Sequence, residues 1–224
     1  MPDKKIKYKE KARESFNRQA IRYDFSHDGE HARTVYPYVL ERLALFSYHS
    51  VLDVGCGTGE ILSMIANQSQ ENLTLAGIDL SSEMIRVAEK KVAGRADLRI
   101  GDAEELPWSD SSFDVVLCLD SFHHYPRPRK ALSEMKRVIR VHGRLILGDF
   151  WKPSPVRQLM NLFIRFSKEG DVRVYSKSEI CDLLKSVGFA SIQWKLVNKN
   201  AYMVTASAEK GELGPAIDAG QSKT

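Results

Sequence analysis

Little in this 224-residue chain is extreme, and what it lacks narrows its chemistry. Cysteine is scarce: Cys56, Cys118 and Cys181 stand far apart, odd in number and without metal-ligand spacing. They make no disulfide framework, so the expected compartment is a reducing cytoplasm, and the expected role of Cys56 and Cys118 is small apolar filler. No metal is expected from this pattern. No run of eighteen apolar residues and no charged-then-apolar leader occurs, so neither a membrane span nor a signal peptide is expected. Charge of neither sign dominates, with 33 Lys and Arg against 29 Asp and Glu for a net +4. A hydrophobic content of 43% suits one domain with a full core.

The most informative stretch is Val51-Leu-Asp-Val-Gly-Cys-Gly-Thr-Gly-Glu60. Val51, Leu52 and Val54 suit a buried strand, and Gly55, Gly57 and Gly59 let the backbone turn sharply and approach a ligand. Ile61, Leu62, Met64, Ile65 and Ala66 then fit the apolar face of a helix, so the segment is the first half of a nucleotide-binding βαβ unit. No Gly-Lys-Ser/Thr follows, which excludes a P-loop. The dinucleotide fingerprint fails too, because Glu60 occupies the place of its third small residue. Asp53, just ahead of the turn, would repel a pyrophosphate and attract an ammonium or sulfonium charge.

The same alternation continues along the chain. Strands are expected at 51–54, 73–78, 97–100, 114–119 and 144–149, with helices at 30–46, 59–68, 82–92 and 128–139. Ser176-Lys-Ser-Glu179 is a capping box for a helix reaching Val187 and ended by Gly188. Strands near 191–197 and 201–206 flank the turn Asn198-Lys-Asn200. Alternation of this kind argues for an α/β domain with a parallel sheet and helices on both faces. The lysine-rich start, Lys4 to Lys11, is expected as a frayed leader or exposed helix turn. Residues 207–224 are small, charged and Gly/Pro-bearing, and are expected to be a disordered tail.

Three acids fall at the carboxyl ends of successive strands. Asp79 lies 22 residues beyond Gly57, a spacing that reaches the ribose hydroxyls of an adenosyl group. Asp102, in Gly101-Asp-Ala103, is in position to accept from an adenine amino group. At this point Asp53-Val-Gly-Cys-Gly-Thr-Gly59, Asp79-Leu-Ser81, Gly101-Asp-Ala-Glu-Glu-Leu-Pro107 and Phe113-Asp-Val-Val-Leu-Cys-Leu119 resemble the successive motifs of class I S-adenosylmethionine-dependent methyltransferases. The closest resemblance is to the small-molecule branch that includes the ubiquinone/menaquinone-biosynthesis type, and it covers about residues 15–206.

The resemblance implies a doubly wound, Rossmann-like, seven-stranded sheet, mostly parallel with an antiparallel last strand. It implies S-adenosylmethionine as cofactor, with Asp53 and the turn Gly55, Cys56, Gly57, Thr58 and Gly59 at the methionine part. Asp79, followed by Leu80 and Met84, would serve the ribose side, Gly101, Asp102 and Ala103 the adenine, and Leu119 the pocket lining. The opening Phe16-Asn-Arg-Gln-Ala-Ile-Arg-Tyr23-Asp24 also looks like that branch, whose tyrosine region folds over the cofactor. The implied division is an N-terminal helical segment, 1–46, capping a core, 47–206, with a helical insert at about 151–174.

Ligands of doubly wound sheets bind outside the carboxyl ends of the strands, so residues 12–46 and the insert are the expected walls of an acceptor pocket. In the insert, Leu159, Leu162, Phe163 and Phe166 recur at helical spacing, for which core packing is expected. His123 and His124, just past the fourth strand, are the candidate catalytic bases, since histidine exchanges protons near neutrality. Asp149 is expected to face the same crevice, with Tyr23 and His27 closing over it, and His31, His49 and His142 are expected at the surface or at helix ends. Pro126–Lys177 carries thirteen Lys and Arg against four acids, a balance of +9. Solvated helix faces, an anionic small substrate and an RNA backbone would each account for that excess. Leu119-Asp-Ser-Phe122 stands where a nucleobase-amine Asn/Asp-Pro-Pro-Tyr/Phe signature would fall, which weighs against RNA. The function expected is methyl transfer to a small-molecule acceptor at O, N, S or an activated carbon. The alternatives are an RNA or protein methyltransferase, or a cofactor-binding regulatory protein without turnover.

Overall fold

A computed structural model describes residues 4–68 and 72–209. Its seven strands form one sheet in the order β3-β2-β1-β4-β5-β7-β6. They are β1 (Ser50–Val54), β2 (Thr74–Asp79), β3 (Asp97–Ile100), β4 (Phe113–Leu119), β5 (Ile139–Phe150), β6 (Ala190–Asn198) and β7 (Ala201–Ser207). The neighbouring pairs among β1 to β5 are parallel, and β7 runs antiparallel to both β5 and β6. This is the Rossmann-like arrangement the resemblance implied. The strand order reverses between β1 and β4, so the crevice of a doubly wound sheet opens at their carboxyl ends.

Burial follows from this layering. All five residues of β1 and all seven of β7 are buried, as expected of strands covered on both faces. One face packs Leu52, Val116, Phe122, Leu132 and Leu184 into a core, and the other packs Val39, Leu43, Ile61, Ile65, Val115 and Leu117. The covering helices are α4 (Glu60–Ala66), α5 (Ser82–Val92), α6 (Pro128–Val138) and α8 (Lys177–Ser186). Ser176 caps α8 through the reciprocal box with Glu179, as its sequence predicts.

Four segments depart from expectation. The lysine-rich start is the first half of a sixteen-residue helix, α1 (Lys4–Gln19), held against the core by Lys9 and Asn17. The 30–46 pattern is two helices, α2 (His27–Arg33) and α3 (Tyr36–Leu43), because Pro37 restarts the chain at the first turn of α3. β5 begins five residues early and carries a bend at the positive-φ residue His142. In the insert, α7 (Val156–Phe163) and the following single turn leave Leu159, Leu162, Phe163 and Phe166 each more than half exposed. The expectation of core packing there is overturned, since helical spacing reveals an apolar face but not what it packs against. The tail expected to be disordered lies outside the described residues from 210 onward.

Candidate active site

The glycine turn is built from its neighbours upward. The backbone N–H groups of Gly55 and Cys56 donate to Ile78 O at 2.8 and 3.0 Å, tying the turn to the end of β2. Gly57 N donates to Asp79 Oδ2 at 2.9 Å, and Ser81 N to Asp79 Oδ1 at 2.8 Å, so Asp79 is fixed by two N–H groups before any ligand arrives. Gly55, Gly57 and Gly59 all have positive φ. A Cβ on Gly57 would meet nothing within 4 Å, whereas one on Gly59 would strike Ala88 Cβ at 2.9 Å. Gly57 thus faces open space, and Gly59 lets the start of α4 pack on α5. Gly59 does not line the cavities.

Two small cavities, of about 70 and 60 Å³, lie against this turn. Leu80, Gly101, Asp102 and Ala103 line the first, and Tyr23, Asp53, Cys56, Gly57, Thr58, Met84 and Leu119 line the second. Gly55 and Asp79 belong to both. Asp53 is buried, and its Oδ1 has no hydrogen-bond partner. Burial, then the charge of Asp79, pushes its carboxyl up to about 8. Asp102 accepts from Glu104 N and, at 2.5 Å, from Lys9 Nζ on α1, which also reaches Glu104 Oε2 at 2.6 Å. Thr58 Oγ1 donates to Asp24 at 2.6 Å, and Lys91 joins Asp24 to Glu60, so Glu60 serves an ion pair at the rim of the turn. Cys56 and Cys118 are buried with raised thiol pKa, as suits filler.

A larger cleft of about 330 Å³ opens beside these cavities. Phe16 and His124 line all three spaces, and Tyr23 and Asp120 line two. The two histidines differ in charge. His123 Nδ1 lies 2.5 Å from Asp149 Oδ1, and its backbone N donates to Asp149 Oδ2. Burial lowers its pKa, but the charge and hydrogen bond of Asp149, with Asp120 and Asp171, outweigh that and push it to about 10. Burial and the neighbouring His123 charge instead hold His124 well below the usual histidine value. At neutral pH His123 is therefore an imidazolium and His124 a neutral ring. His124 Nδ1 is 3.1 Å from Asp171 Oδ1 but not aligned as a hydrogen bond, and it has no other partner. His123, His124 and Asp171 each bring an atom within 4.8 Å of the others, close enough to share a cation as well as a proton.

Asp149 stands just behind the cleft, fully buried beneath His123. His27 borders the cleft with a nearly free side chain, and His49 and His142 are exposed. His31 is the correction: it is mostly buried, with Nδ1 3.1 Å from both oxygens of Asp120 and Nε2 3.2 Å from Asn200 O. Its expected place at the start of a 30–46 helix suggested surface, but it sits in the last turn of α2, which folds over the cleft. Asp120, Asp171, Lys9 and Tyr36, the last lining the second turn-side cavity, were not singled out from sequence. Asp120 had the same signal as the other acids, a carboxylate one residue past a strand end. No signal marked the other three.

The basic excess of 126–177 points away from the cleft, whose lining holds neither Lys nor Arg among the described residues. Arg127 meets Glu104, Arg137 meets Glu134 and Asp110, Arg140 meets Asp114, and Arg173 meets Glu179. Ion pairs outside the cleft account for these four cations, of which only Arg137 lies on a helix, and among the described residues the cleft lining offers no Lys or Arg to an anion.

The fold and the turn define a class. Residues 52–147 match the family described as a methyltransferase domain, and the chain belongs to the class I S-adenosylmethionine-dependent methyltransferases. Relatives include an uncharacterized methyltransferase, YcgJ, of Bacillus subtilis, 35% identical over 58% of this chain and 53% of its own length. Another is the demethylmenaquinone methyltransferase of Thermotoga maritima, 30% identical over 67% of this chain and 66% of its own. The chain thus spans about half to two thirds of these relatives. A crystal structure of a SAM-dependent methyltransferase from Aquifex aeolicus is 25% identical with a TM-score of 0.62, covering 77% of this chain and 89% of that one. The family uses S-adenosylmethionine. Among the described residues no helix is long and apolar enough to cross a membrane.

Proposed function

We propose that this protein transfers a methyl group from S-adenosylmethionine to a small-molecule acceptor, by in-line displacement in a closed pocket. The observation that carries the proposal is the meeting of the two turn-side cavities with the larger cleft across the shared side chains Phe16 and His124. Two ligands could meet there with little water between them, which suits a reaction governed by positioning.

The residues fit the cofactor on two counts. Asp53 offers a buried, unpartnered carboxyl oxygen whose ionised form an ammonium group would stabilise, and Gly57 leaves the space that any side chain would fill. Asp53 and the turn from Gly55 to Thr58 would hold the methionine part, Asp79 the ribose hydroxyls with Leu80 and Met84 beside them, and Asp102 with Gly101 and Ala103 the adenine. Lys9 would have to share or release Asp102. Tyr23, Phe16 and Leu119 would close the apolar walls. When bound, the cofactor supplies a methyl group on a sulfonium, already activated for displacement. The chain orients the acceptor and manages its proton: His124 is the neutral ring at the junction and would take it at Nδ1, while His123, held charged by Asp149, keeps His124 neutral. Residues 4–46 would act as the cap and 151–174 as the outer wall of the acceptor cleft.

Calorimetric titration with S-adenosylhomocysteine tests the cofactor half. Micromolar binding that falls at least tenfold in Asp79→Ala is expected; no binding to the wild-type protein would remove the proposal. Release of S-adenosylhomocysteine with a panel of small acceptors tests the transfer half.

A further inference from the structure

The charges facing the acceptor cleft do not cancel. Asp28, Asp120, Glu169 and Asp171 face it, and no Lys or Arg does among the described residues. Two of the cleft's histidines are already matched, His31 to Asp120 and His123 to Asp149. Glu169 is tied to α1 by Gln19 Nε2, which donates at 3.0 Å but brings no charge. Asp171 accepts from Ser167 Oγ, again a neutral partner, and its nearest basic atoms are the unaligned His124 Nδ1 and His123 Nε2 at 3.7 Å. Asp28 has only the weak approach of its neighbour His27, at 3.8 Å. Asp28, Glu169 and Asp171 therefore line the cleft with no Lys or Arg paired to them there among the described residues, and the one charged ring near Asp171, His123, is already held by Asp149.

A second observation points to a ligand there. His124 is more than nine-tenths buried, and its Nδ1 has no hydrogen-bond partner although Asp171 is 3.1 Å away. With the ring proton on Nε2, Nδ1 and the Asp171 oxygen are two acceptors facing each other, an arrangement that an N–H donor placed between them would satisfy. In the same lining, Phe150, Met160 and Phe163 offer apolar contact.

We propose that the acceptor carries an organic ammonium group, which seats beside Glu169 and Asp171 and donates to His124 Nδ1, with its apolar body against Phe150, Met160 and Phe163. The seat rests on the methyl-transfer proposal and narrows it to cationic, amine-bearing acceptors. It favours these over the anionic small molecules suggested by the segment's overall charge, because uncompensated carboxylates in a half-closed cleft repel an anion.

The test uses the full chain loaded with S-adenosylhomocysteine. Matched triplets are titrated by calorimetry, with benzylamine, benzyl alcohol and benzoate as one set and their phenethyl and phenylbutyl counterparts as longer ones. At least one amine is expected to bind tenfold more tightly than its alcohol, with its carboxylate weakest. Glu169→Gln with Asp171→Asn is expected to erase that preference while leaving S-adenosylhomocysteine affinity within threefold, which also shows that the variant is folded. No amine preference in any triplet, or a preference for the carboxylate, overturns the seat. So does an amine preference that survives the double substitution. Loss of S-adenosylhomocysteine binding by the wild-type chain would instead count against the methyl-transfer proposal.

Discussion

Replacing Gly57 and Gly59 separately by alanine should divide binding from folding. Both residues have left-handed backbones, with φ of +51° and +71°, a conformation that costs a side-chain-bearing residue about 1–2 kcal/mol. At Gly57 the added methyl meets nothing within 4 Å, so the backbone strain is the whole cost. For a domain of this size that corresponds to a fall in Tm of about 2–8 °C. At Gly59 the methyl would lie 2.9 Å from Ala88 Cβ and 3.3 Å from Ala88 Cα, and relieving that overlap adds about 1–3 kcal/mol. The sum of about 2–5 kcal/mol predicts a fall of about 4–20 °C. Binding should reverse the order. The Gly57→Ala methyl projects into the space assigned to the cofactor and should weaken S-adenosylhomocysteine at least tenfold. Gly59→Ala, assayed well below its Tm, should stay within about threefold. Thermal melts of the ligand-free protein and calorimetry at 20 °C measure the two quantities. Wild-type affinity in Gly57→Ala, or lost affinity without lost Tm in Gly59→Ala, would refute the division of roles.

The ionisable groups give three further predictions. His123 titrates near 10 in the fold, above the ordinary histidine value, so the stability it contributes is complete below about pH 6.5 and is lost as pH rises toward 10. Urea unfolding at pH 6, 8 and 10 should show that decline, and Asp149→Asn, which removes the partner, should flatten it. Asp53 also has a raised folded pKa, near 8, so wild-type stability should fall from about pH 4 to about pH 8 and then level. Ligand-free Asp53→Asn should therefore melt higher than wild type at pH 8 yet bind S-adenosylhomocysteine at least tenfold more weakly; a variant that gains stability and keeps affinity would show that the buried carboxylate serves no ligand. His124→Ala should lower turnover about 100-fold, the usual scale of general base catalysis, with cofactor affinity within threefold. Unchanged turnover would exclude His124 from proton transfer.

The turn-side half of the site was legible because parallel strands translate sequence position into space. Asp53, Asp79 and Asp102 each fall at or just past a strand end, and adjacent parallel strands end side by side. Their convergence follows from alternation and spacing, without side-chain detail. The acceptor side had no such rule. Its lining comes from α1, α2, the turn after β4 and the segment around 160–174, and nothing in the spacing of His31, Asp120 and Asp171 says that they meet. Helix ends were legible where a cap marks them, as at Ser176, and misjudged where the signal was a lone proline, as at Pro37 between α2 and α3.

Charge shows why a count along the chain misleads at a pocket. The segment 126–177 totals +9, yet the cleft it helps to form is acidic, and the lengths of the side chains explain the contrast. Arg137 reaches Glu134, Asp110 and the carbonyl of Leu106, and Arg140 reaches Asp114 and Ser50 at the amino-terminal ends of β4 and β1, whereas the cleft opens at the carboxyl ends of the strands. Long arginine stems carry charge away from their Cα positions, whereas Asp120 and Asp171 hold theirs within two bonds of the backbone. Short acids at turns therefore set the potential of a cleft lined by turns, even where basic residues outnumber them in the sequence. The acceptor's charge is accordingly better inferred from the groups that end in the cleft than from the segment that surrounds it.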